Sequence, residues 1–299
     1  MRSRGRAGAL EMILEVRWSA WNRRPRTLGQ AGLAMLVALA ASPCDAQETS
    51  SRASGVHDLQ TIVDAKVLRV AVTRFDLPAF HARRADGTLA GAEIDMAEQI
   101  GRALGVKVEF IDDADSFDAV VDLVTTARAD IGISKLSQTY RRLHRVRFSQ
   151  PYITLRHALL FNRLTIAQDA ERRPPAAVLQ GFNGRIGVIA GSAYVDFAKA
   201  NFPAATVVEA RTWDDVISGL LAGKVDAIYR DEFEIRRIVK NSPGLNVKFG
   251  TAAITDQDAL LSIAICDTCS KLQELINYHL ERTRNSWTLK ALLATEQGK

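Results

Sequence analysis

The stretch GAEIDMAEQIGRALGVKVEFID, residues 91–112, decides the fold class of this 299-residue chain. Gly105 predicts where a helix ends, because glycine readily adopts the left-handed conformation that stops helices. A strand, KVEFID (107–112), follows at once. The helix before Gly105 is amphipathic, since five apolar residues fall near one of its faces: Ile94, Met96, Ala97, Ile100 and Leu104.

Similar units flank this stretch. KVLRVAV (66–72) predicts a strand before it, and SFDAVVDLVTTAR (116–128) predicts a helix after it. ADIGI (129–133) then predicts another strand. Strands and helices that alternate in this way predict an α/β fold, with each sheet mostly parallel and flanked by helices.

The second half of the chain repeats the pattern. Phe117-Asp118 precedes Asp130 by the same interval that Trp213-Asp214 precedes Asp226, and each aspartate opens a strand. We therefore predict two similar lobes, although any two α/β units share this alternation of helices and strands. A late strand, ALLSIAIC (259–266), would return to the first lobe and create two crossovers that act as a hinge. The predicted boundaries are residues 58–158 plus 256–299 for lobe 1 and residues 159–255 for lobe 2.

Residues 1–46 have the form of a secretory signal peptide: a basic segment, an apolar run of 11 residues (31–41) and a small-residue site before Gln47. An uncleaved anchor is the alternative. The segment holds seven arginines against three acidic residues, so the rest of the chain is close to neutral despite the net charge of +5. This location of the charge argues against a nucleic-acid partner. We predict an exported, periplasmic protein.

Cys266 and Cys269 remain after such processing. In an oxidising compartment we expect a local disulfide between them, with a redox-active pair as the alternative. The sequence offers no further ligands at the spacing of a zinc site, and no nucleotide-binding glycine motif. We predict no cofactor.

Three predicted strand ends carry polar residues where parallel sheets bind ligands: Ser134–Arg142, Gly191–Tyr194 and Arg230–Glu232. Helix N-termini there offer N–H groups to an anion. An arginine one turn into the helix after Ser137 could bind a carboxylate through its planar fork. Asp231 could bind an ammonium group. Helix capping and solvent exposure are the alternatives for these polar residues.

The chain from about 58 to 295 resembles the bacterial extracellular solute-binding proteins of family 3, which serve ABC importers of polar amino acids. Six stretches carry the resemblance in order: LRVAVTRFDLPAF (68–80), DGTLAGAEIDMAEQIGRALGVKVEFI (86–111), FDAVVDLVTTARADIGIS (117–134), LSQTYRRLHRVRFSQPY (136–152), IGVIAGSAYVDFAKANFP (186–203) and LLAGKVDAIYRDE (220–232). The resemblance implies a two-lobed, type II periplasmic-binding-protein-like fold.

The resemblance also implies ligand-binding positions. The family's carboxylate-binding arginine falls on Arg142 and not on Arg141, and its ammonium-binding aspartate falls on Asp231. The other implied contacts are the hydroxyl of Ser137, the backbone of Lys135, the apolar wall Phe117, and the turn residues Ser192 and Ala193. The first-lobe loop TRFDLPAF (73–80) is one residue longer than the common pattern. It leaves Thr73, Arg74, Phe75 and Asp76 as candidates, of which we favour Phe75 as a wall. Ala193 replaces the threonine that is usual in the family.

Lys135 is a second departure, because many relatives have a small residue there. If Lys135 and Arg74 reach the pocket, an anionic side chain or a dicarboxylate is a plausible ligand. The alternative is that only the backbone of Lys135 contacts the ligand and its side chain points to solvent.

We therefore predict a monomeric binding protein that closes on an amino acid or related carboxylate and delivers it to a membrane ABC permease. An enzyme on the same scaffold is the alternative, since periplasmic cyclohexadienyl dehydratases, which act on prephenate or arogenate, resemble this family. Such an enzyme needs an acid or base beside the ligand, and Asp231, Glu232 or Lys135 could supply it. A sensory protein that binds a receptor in trans is a third possibility.

Overall fold

The structure is a computed structural model that describes residues 14–17, 59–170, 175–242, 244–283, 288 and 292. The strands are β1 (Leu14–Val16), β2 (Val67–Thr73), β3 (Ala82–Arg83), β4 (Leu89–Ala90), β5 (Lys107–Ala114), β6 (Ile131–Gly132), β7 (Arg147–Phe148), β8 (Ile153–Asn162), β9 (Arg185–Ile189), β10 (Thr206–Ala210), β11 (Ala227–Asp231), β12 (Phe249–Leu261) and β13 (Ala264–Ile265).

The helices are α1 (Leu59–Ala65), α2 (Ala92–Leu104), α3 (Phe117–Thr125), α4 (Tyr140–Leu143), α5 (Arg163–Ala170), α6 (Pro175–Gln180), α7 (Ala193–Asn201), α8 (Trp213–Leu221), α9 (Glu232–Asn241), α10 (Leu245–Lys248) and α11 (Ser270–Thr283). Helix α2 ends where the sequence predicts, since Gly105 is left-handed at φ 70° and its N–H closes the last turn on Arg102.

Two sheets define two lobes. The first lobe holds the sheet β5-β2-β6-β13-β7, and the second holds β1-β12-β8-β11-β9-β10. Both sheets are mixed, whereas the sequence predicted mostly parallel ones. The reason is the connectivity: β13 enters the first sheet antiparallel to β6 and β7, and β8 enters the second sheet antiparallel to β11 and β12.

The internal repeat is visible as one ion pair that occurs in each lobe. In the first lobe, Nη2 of Arg69 in β2 lies 2.7 Å from the carboxylate of Asp130, just before β6. In the second lobe, Nη2 of Arg185 in β9 lies 2.9 Å from the carboxylate of Asp226, just before β11. Each aspartate also accepts a hydrogen bond from the backbone N–H of its arginine. The same side chains therefore tie neighbouring parallel strands together in both lobes.

Strands β8 and β12 carry the chain between the lobes in opposite directions. They pair with each other from Ile153–Leu261 to Asn162–Phe249, with an irregularity between Ile254 and Asp258. The two crossovers thus form one hydrogen-bonded ribbon. The lobe boundaries given above fall inside this ribbon and stay a prediction.

The predicted signal peptide lies mostly outside the described residues. The exception is residues 14–17, which include β1, an edge strand parallel to β12. Val16 is buried there, and Glu15 contacts Arg156 through Oε1 at 3.1 Å from Nη1. Cleavage before Gln47 would remove this strand from the exported chain.

The disulfide joins Cys266 to Cys269 in the turn between β13 and α11. Their Cα atoms are 5.3 Å apart, within the usual range for a bridged pair. Among the residues that the structure describes, no helix combines the length and apolar character needed to cross a membrane.

Candidate functional site

The candidate site lies between the lobes, where β6, β9 and β11 end. Each of these strands leads through a short turn into a helix, namely α4, α7 or α9. The N-terminus of α3 closes the site from the first lobe. Seven of the eight ligand positions predicted from the sequence line one inner cavity of about 10 Å³: Phe117, Lys135, Ser137, Arg142, Ser192, Ala193 and Asp231.

Arg142 is buried at this point, with 1% of its surface exposed. Its Nε donates to Oδ1 of Asp118 at 3.0 Å, and its Nη1 donates to the carbonyl of Ser137 at 3.0 Å. Its Nη2 reaches the carbonyl of Gly191 in the second lobe at 3.4 Å. Burial lowers the pKa of Arg142, and the charge of Asp118 opposes that shift. Arg141, by contrast, is exposed and pairs with Asp118 and Asp196.

The two hydroxyls before α4 have different roles. Thr139 caps the helix, because its Oγ1 accepts the N–H of Arg142 at 3.2 Å. Ser137 does not cap it. Ser137 is 2% exposed and lines the inner cavity. It lies beside the guanidinium of Arg142, which donates a hydrogen bond to the carbonyl of Ser137. The capping alternative therefore applies to Thr139.

Asp231 combines the two roles considered for it. Its side chain caps α9 by accepting the N–H of Glu234 at 3.1 Å. Its Oδ2 also lies 3.2 Å from Nζ of Lys135. The carboxylate is therefore fixed by its own helix and neutralised from the other lobe.

Lys135 points into the site and not to solvent. Its side chain is 2% exposed, and Nζ lies 3.0 Å from Oε1 of Glu234 in the second lobe. Its backbone is left-handed at φ 47°, an unusual conformation for lysine, and its N–H donates to Glu93 at 2.7 Å. Arg74, the other cation considered, is mostly exposed and pairs with Asp115. Of the two, Lys135 alone reaches the interlobe site.

The second-lobe turn provides Ser192 and Ala193 at the start of α7. Ser192 turns its hydroxyl back to the carbonyl of Ile189 at 2.6 Å and makes no capping hydrogen bond. Both residues are buried. Ser192 and Ala193 therefore place the start of α7 beside the inner cavity, without a hydroxyl at position 193.

Phe75 and Phe117 form an aromatic wall in the first lobe. Their ring centroids are 5.5 Å apart at an angle of 78°. Phe117 lines the inner cavity, whereas Phe75 lines a larger neighbouring cavity of about 380 Å³. Arg230 lines both cavities and lies at their boundary.

Sequence reasoning gave no individual role to four residues of the site: Tyr194, Trp213, Arg230 and Glu234. Tyr194 and Arg230 lie at strand ends that it named as ligand-binding regions. Arg230 had a visible signal, because it interrupts the apolar strand VDAIY just before Asp231. Glu234 had none, since it looks like any acidic residue in the first turn of a helix. Glu232, considered as an acid or base, lies elsewhere and pairs with Arg156 and Arg236.

Burial alone would raise the pKa of Glu234, but the charges of Lys135, Arg230 and Arg237 outweigh it and lower that pKa to about 2. Glu234 is therefore an ionised member of the site at neutral pH. Within the described ranges, no group of three or more histidine, cysteine or acidic side chains is arranged to hold a metal ion.

The sequence is similar to those of known periplasmic proteins and of an enzyme. Residues 68–173 match the family of bacterial extracellular solute-binding proteins, family 3. The chain is 26% identical over 181 residues to the histidine-binding periplasmic protein of Salmonella typhimurium, a region that covers 60% of this chain and 66% of that relative. It is 28% identical over 211 residues to the cyclohexadienyl dehydratase of Pseudomonas aeruginosa, which covers 71% of this chain and 73% of the enzyme.

A solved structure shares the fold. It is an amino acid ABC transporter substrate-binding protein of Streptococcus pneumoniae bound to L-arginine, with a TM-score of 0.64 and 25% identity. The likeness covers 79% of this chain and 96% of that one. These matches confirm the two-lobed type II fold predicted from the sequence, and the similarity to family 3 extends over residues 68–173.

Proposed function

We propose, from the match of residues 68–173 to the bacterial extracellular solute-binding proteins of family 3, that this chain captures a small polar solute between its two lobes. The solute belongs to the amino acids and related carboxylates. Capture takes place in the periplasm, and the loaded protein, a monomer, delivers the solute to the membrane permease of an ABC importer.

One observation carries this proposal: Arg142 is buried between the lobes at the meeting point of three strand ends and the start of α3. Its guanidinium contacts Asp118 and Ser137 from the first lobe and Gly191 from the second. A carboxylate that binds there would contact a cation and the start of α7, which together form a strong anion site.

Lobe movement is part of the proposal. The inner cavity of about 10 Å³ has room for about one water molecule, so a carboxylate enters only when the lobes are apart. The ribbon of β8 and β12 supplies a hinge, and closure then removes the solute from water.

A thermal-shift screen against the amino acids and small carboxylates tests the function. Binding to the native state raises the melting temperature by mass action, so we expect at least one compound to raise it in a concentration-dependent manner. If no amino acid or carboxylate does so, the proposed function is rejected.

An enzyme is the second candidate, because one relative is a cyclohexadienyl dehydratase. Dehydration needs a group that can give a proton to the leaving hydroxyl. The lowered pKa of Glu234 makes that carboxylate a poor proton donor, which favours binding over chemistry. Incubation of the purified protein with prephenate or arogenate decides between the two, since product formation would establish the enzyme.

A further inference from the structure

The ammonium group of Lys135 occupies a fixed place between the lobes. Nζ lies 3.0 Å from Oε1 of Glu234 and 3.2 Å from Oδ2 of Asp231. The rings of Phe80 and Phe233 cover it, with centroids at 4.5 Å and 5.1 Å from Nζ. This cation is held by charge, hydrogen bonds and aromatic faces together.

The acceptors beside Lys135 are engaged by the protein itself. Oδ1 of Asp231 accepts the N–H of Glu234 at 3.1 Å, and Oδ2 lies 3.5 Å from Nε of Arg230 as well as near Lys135. Oε2 of Glu234 accepts Nε of Arg237 at 3.0 Å. The ammonium group of an α-amino acid would have to displace one of these cations to reach a carboxylate.

The donors around Arg230, by contrast, lack acceptors among the residues that the structure describes. Arg230 is 3% exposed, yet its Nε and Nη1 are buried and form no hydrogen bond within the described part of the chain. The indole Nε1 of Trp213 and the hydroxyl of Tyr194 are likewise buried without a hydrogen bond in the described part of the chain. Both rings lie close to the guanidinium carbon of Arg230, at 5.2 Å for Trp213 and 5.9 Å for Tyr194.

Buried donors of this kind are normally paired, because an unmade hydrogen bond costs free energy. A guanidinium cannot accept a hydrogen bond, so only an acceptor can satisfy Arg230. The lining of the inner cavity also contains three cations, Lys135, Arg142 and Arg230, against the single carboxylate of Asp231. Glu234 and Asp118 pair with Lys135 and Arg142 from outside this lining. Of the three cations, Arg230 is therefore the one whose buried Nε and Nη1 lack a hydrogen bond among the described residues.

We propose that the solute is a dicarboxylate without an α-ammonium group, whose first carboxylate binds Arg142 and whose second binds Arg230. This inference rests on the proposed function and narrows its substrate class. Nζ of Lys135 forms the ion pair with Asp231 that the ammonium group of a bound amino acid would otherwise form. The second carboxylate extends towards the cavity of about 380 Å³ that Arg230 also lines.

Matched pairs of solutes test the inference by isothermal titration calorimetry. Succinate is paired with L-aspartate and 2-oxoglutarate with L-glutamate, because the members of each pair differ chiefly at the α-position. We expect at least one dicarboxylate to bind the protein more tightly than its amino acid partner, by tenfold or more.

Substitutions at Arg230 and at Lys135 separate the two parts of the inference. Arg230→Gln removes the second anion site, so the affinity for the dicarboxylate should fall at least tenfold. Arg230→Lys keeps the charge and should recover part of it. Lys135→Ala releases Asp231, so the preference within each pair should shift towards the amino acid. Arg128→Gln, an exposed arginine paired with Asp113, is the control for loss of one positive charge and should leave all affinities unchanged.

Each outcome bears on a different statement. Tighter binding of the amino acid than of the dicarboxylate in both pairs, or an Arg230→Gln variant that is folded by circular dichroism and keeps full dicarboxylate affinity, would overturn this inference. Binding of neutral or cationic amino acids alone would overturn it and leave the proposed function standing. Failure of every amino acid and carboxylate to bind would reject both.

Discussion

The backbone N–H of Asp118 donates a hydrogen bond to the carbonyl of Gly191 at 3.0 Å and thereby joins the start of α3 to the β9–α7 turn. Gly191 has φ +66°, and a Cβ atom added to it would lie 2.9 Å from Cβ of Ser116 in the other lobe. The lobes therefore meet at a position that only glycine fills without crowding.

We expect Gly191→Ala to weaken solute binding, because the added methyl group would keep the lobes apart. Gly223→Ala is the matched control: it has φ +71° in the same lobe, and nothing lies within 4 Å of its added Cβ. Both substitutions should cost roughly 1–2 kcal/mol of folding stability through the left-handed backbone. Only Gly191→Ala should lower the affinity in calorimetry. Equal affinities in the two variants would show that the contact does not limit closure.

Arg142→Ala should abolish the rise in melting temperature caused by the solute. Charge-assisted hydrogen bonds are worth about 1.5–3 kcal/mol each, so we expect a loss of at least tenfold in affinity. Arg141→Ala is the comparison, since it removes the exposed neighbour, whose ion pairs should contribute about 0–1 kcal/mol. A similar loss of affinity in both variants would contradict the assignment of the carboxylate site to Arg142.

His157 should make the folded state sensitive to mild acid. Burial lowers the pKa of His157 to about 3, whereas the unfolded chain should titrate near 6.5. Between these values the unfolded state binds the extra proton, so the free energy of unfolding falls as the pH is lowered, by up to about 1.4 kcal/mol per pH unit.

Urea unfolding between pH 6.5 and 5 separates this effect from that of Glu234, which has a pKa of about 2 in the folded state and begins to matter only near its unfolded value of about 4.3. His279, whose pKa is also lowered by burial, contributes a slope of the same sign, so the comparison is between variants. We expect His157→Gln to flatten the pH dependence in this window. His144→Gln, which changes an exposed histidine, should keep it. A slope in His157→Gln equal to that of the unsubstituted protein would refute the prediction.

The Cys266–Cys269 disulfide closes a loop of only four residues. Chain entropy therefore gives it a stabilising contribution of about 2 kcal/mol. We expect the double substitution Cys266→Ser, Cys269→Ser to lower the free energy of unfolding by that amount and to leave solute affinity unchanged, because neither residue lines the two cavities between the lobes. A change in affinity on reduction would support the redox-active alternative instead.

The sequence allowed prediction of the order of elements and of the turns that the structure brings together between the lobes. Periodicity and Gly105 located α2, and the strand ends located the turns at Ser137, Ser192 and Asp231. These features are local, so they can be recognised within a few residues.

The direction of individual side chains could not be predicted in the same way. Whether Lys135 faces solvent or the site depends on Asp231 and Glu234, which are about 100 positions away in the chain. The antiparallel entry of β8 and β13 depends equally on long-range connectivity. Arg230 received no role of its own because the sequence does not show that its side chain is buried beside Phe117, Tyr194 and Trp213.

The paired strands β8 and β12 have a mechanical consequence. Because backbone hydrogen bonds fasten the two crossovers to each other, the lobes cannot slide past one another without breaking those bonds, while bending at the irregularity between Ile254 and Asp258 breaks few of them. The proposed opening and closing of the lobes is thereby limited to a single bending motion. A single pair of fluorophores, one attached to each lobe, would follow the whole cycle of opening and closing, and the protein could serve as a reporter of its own solute.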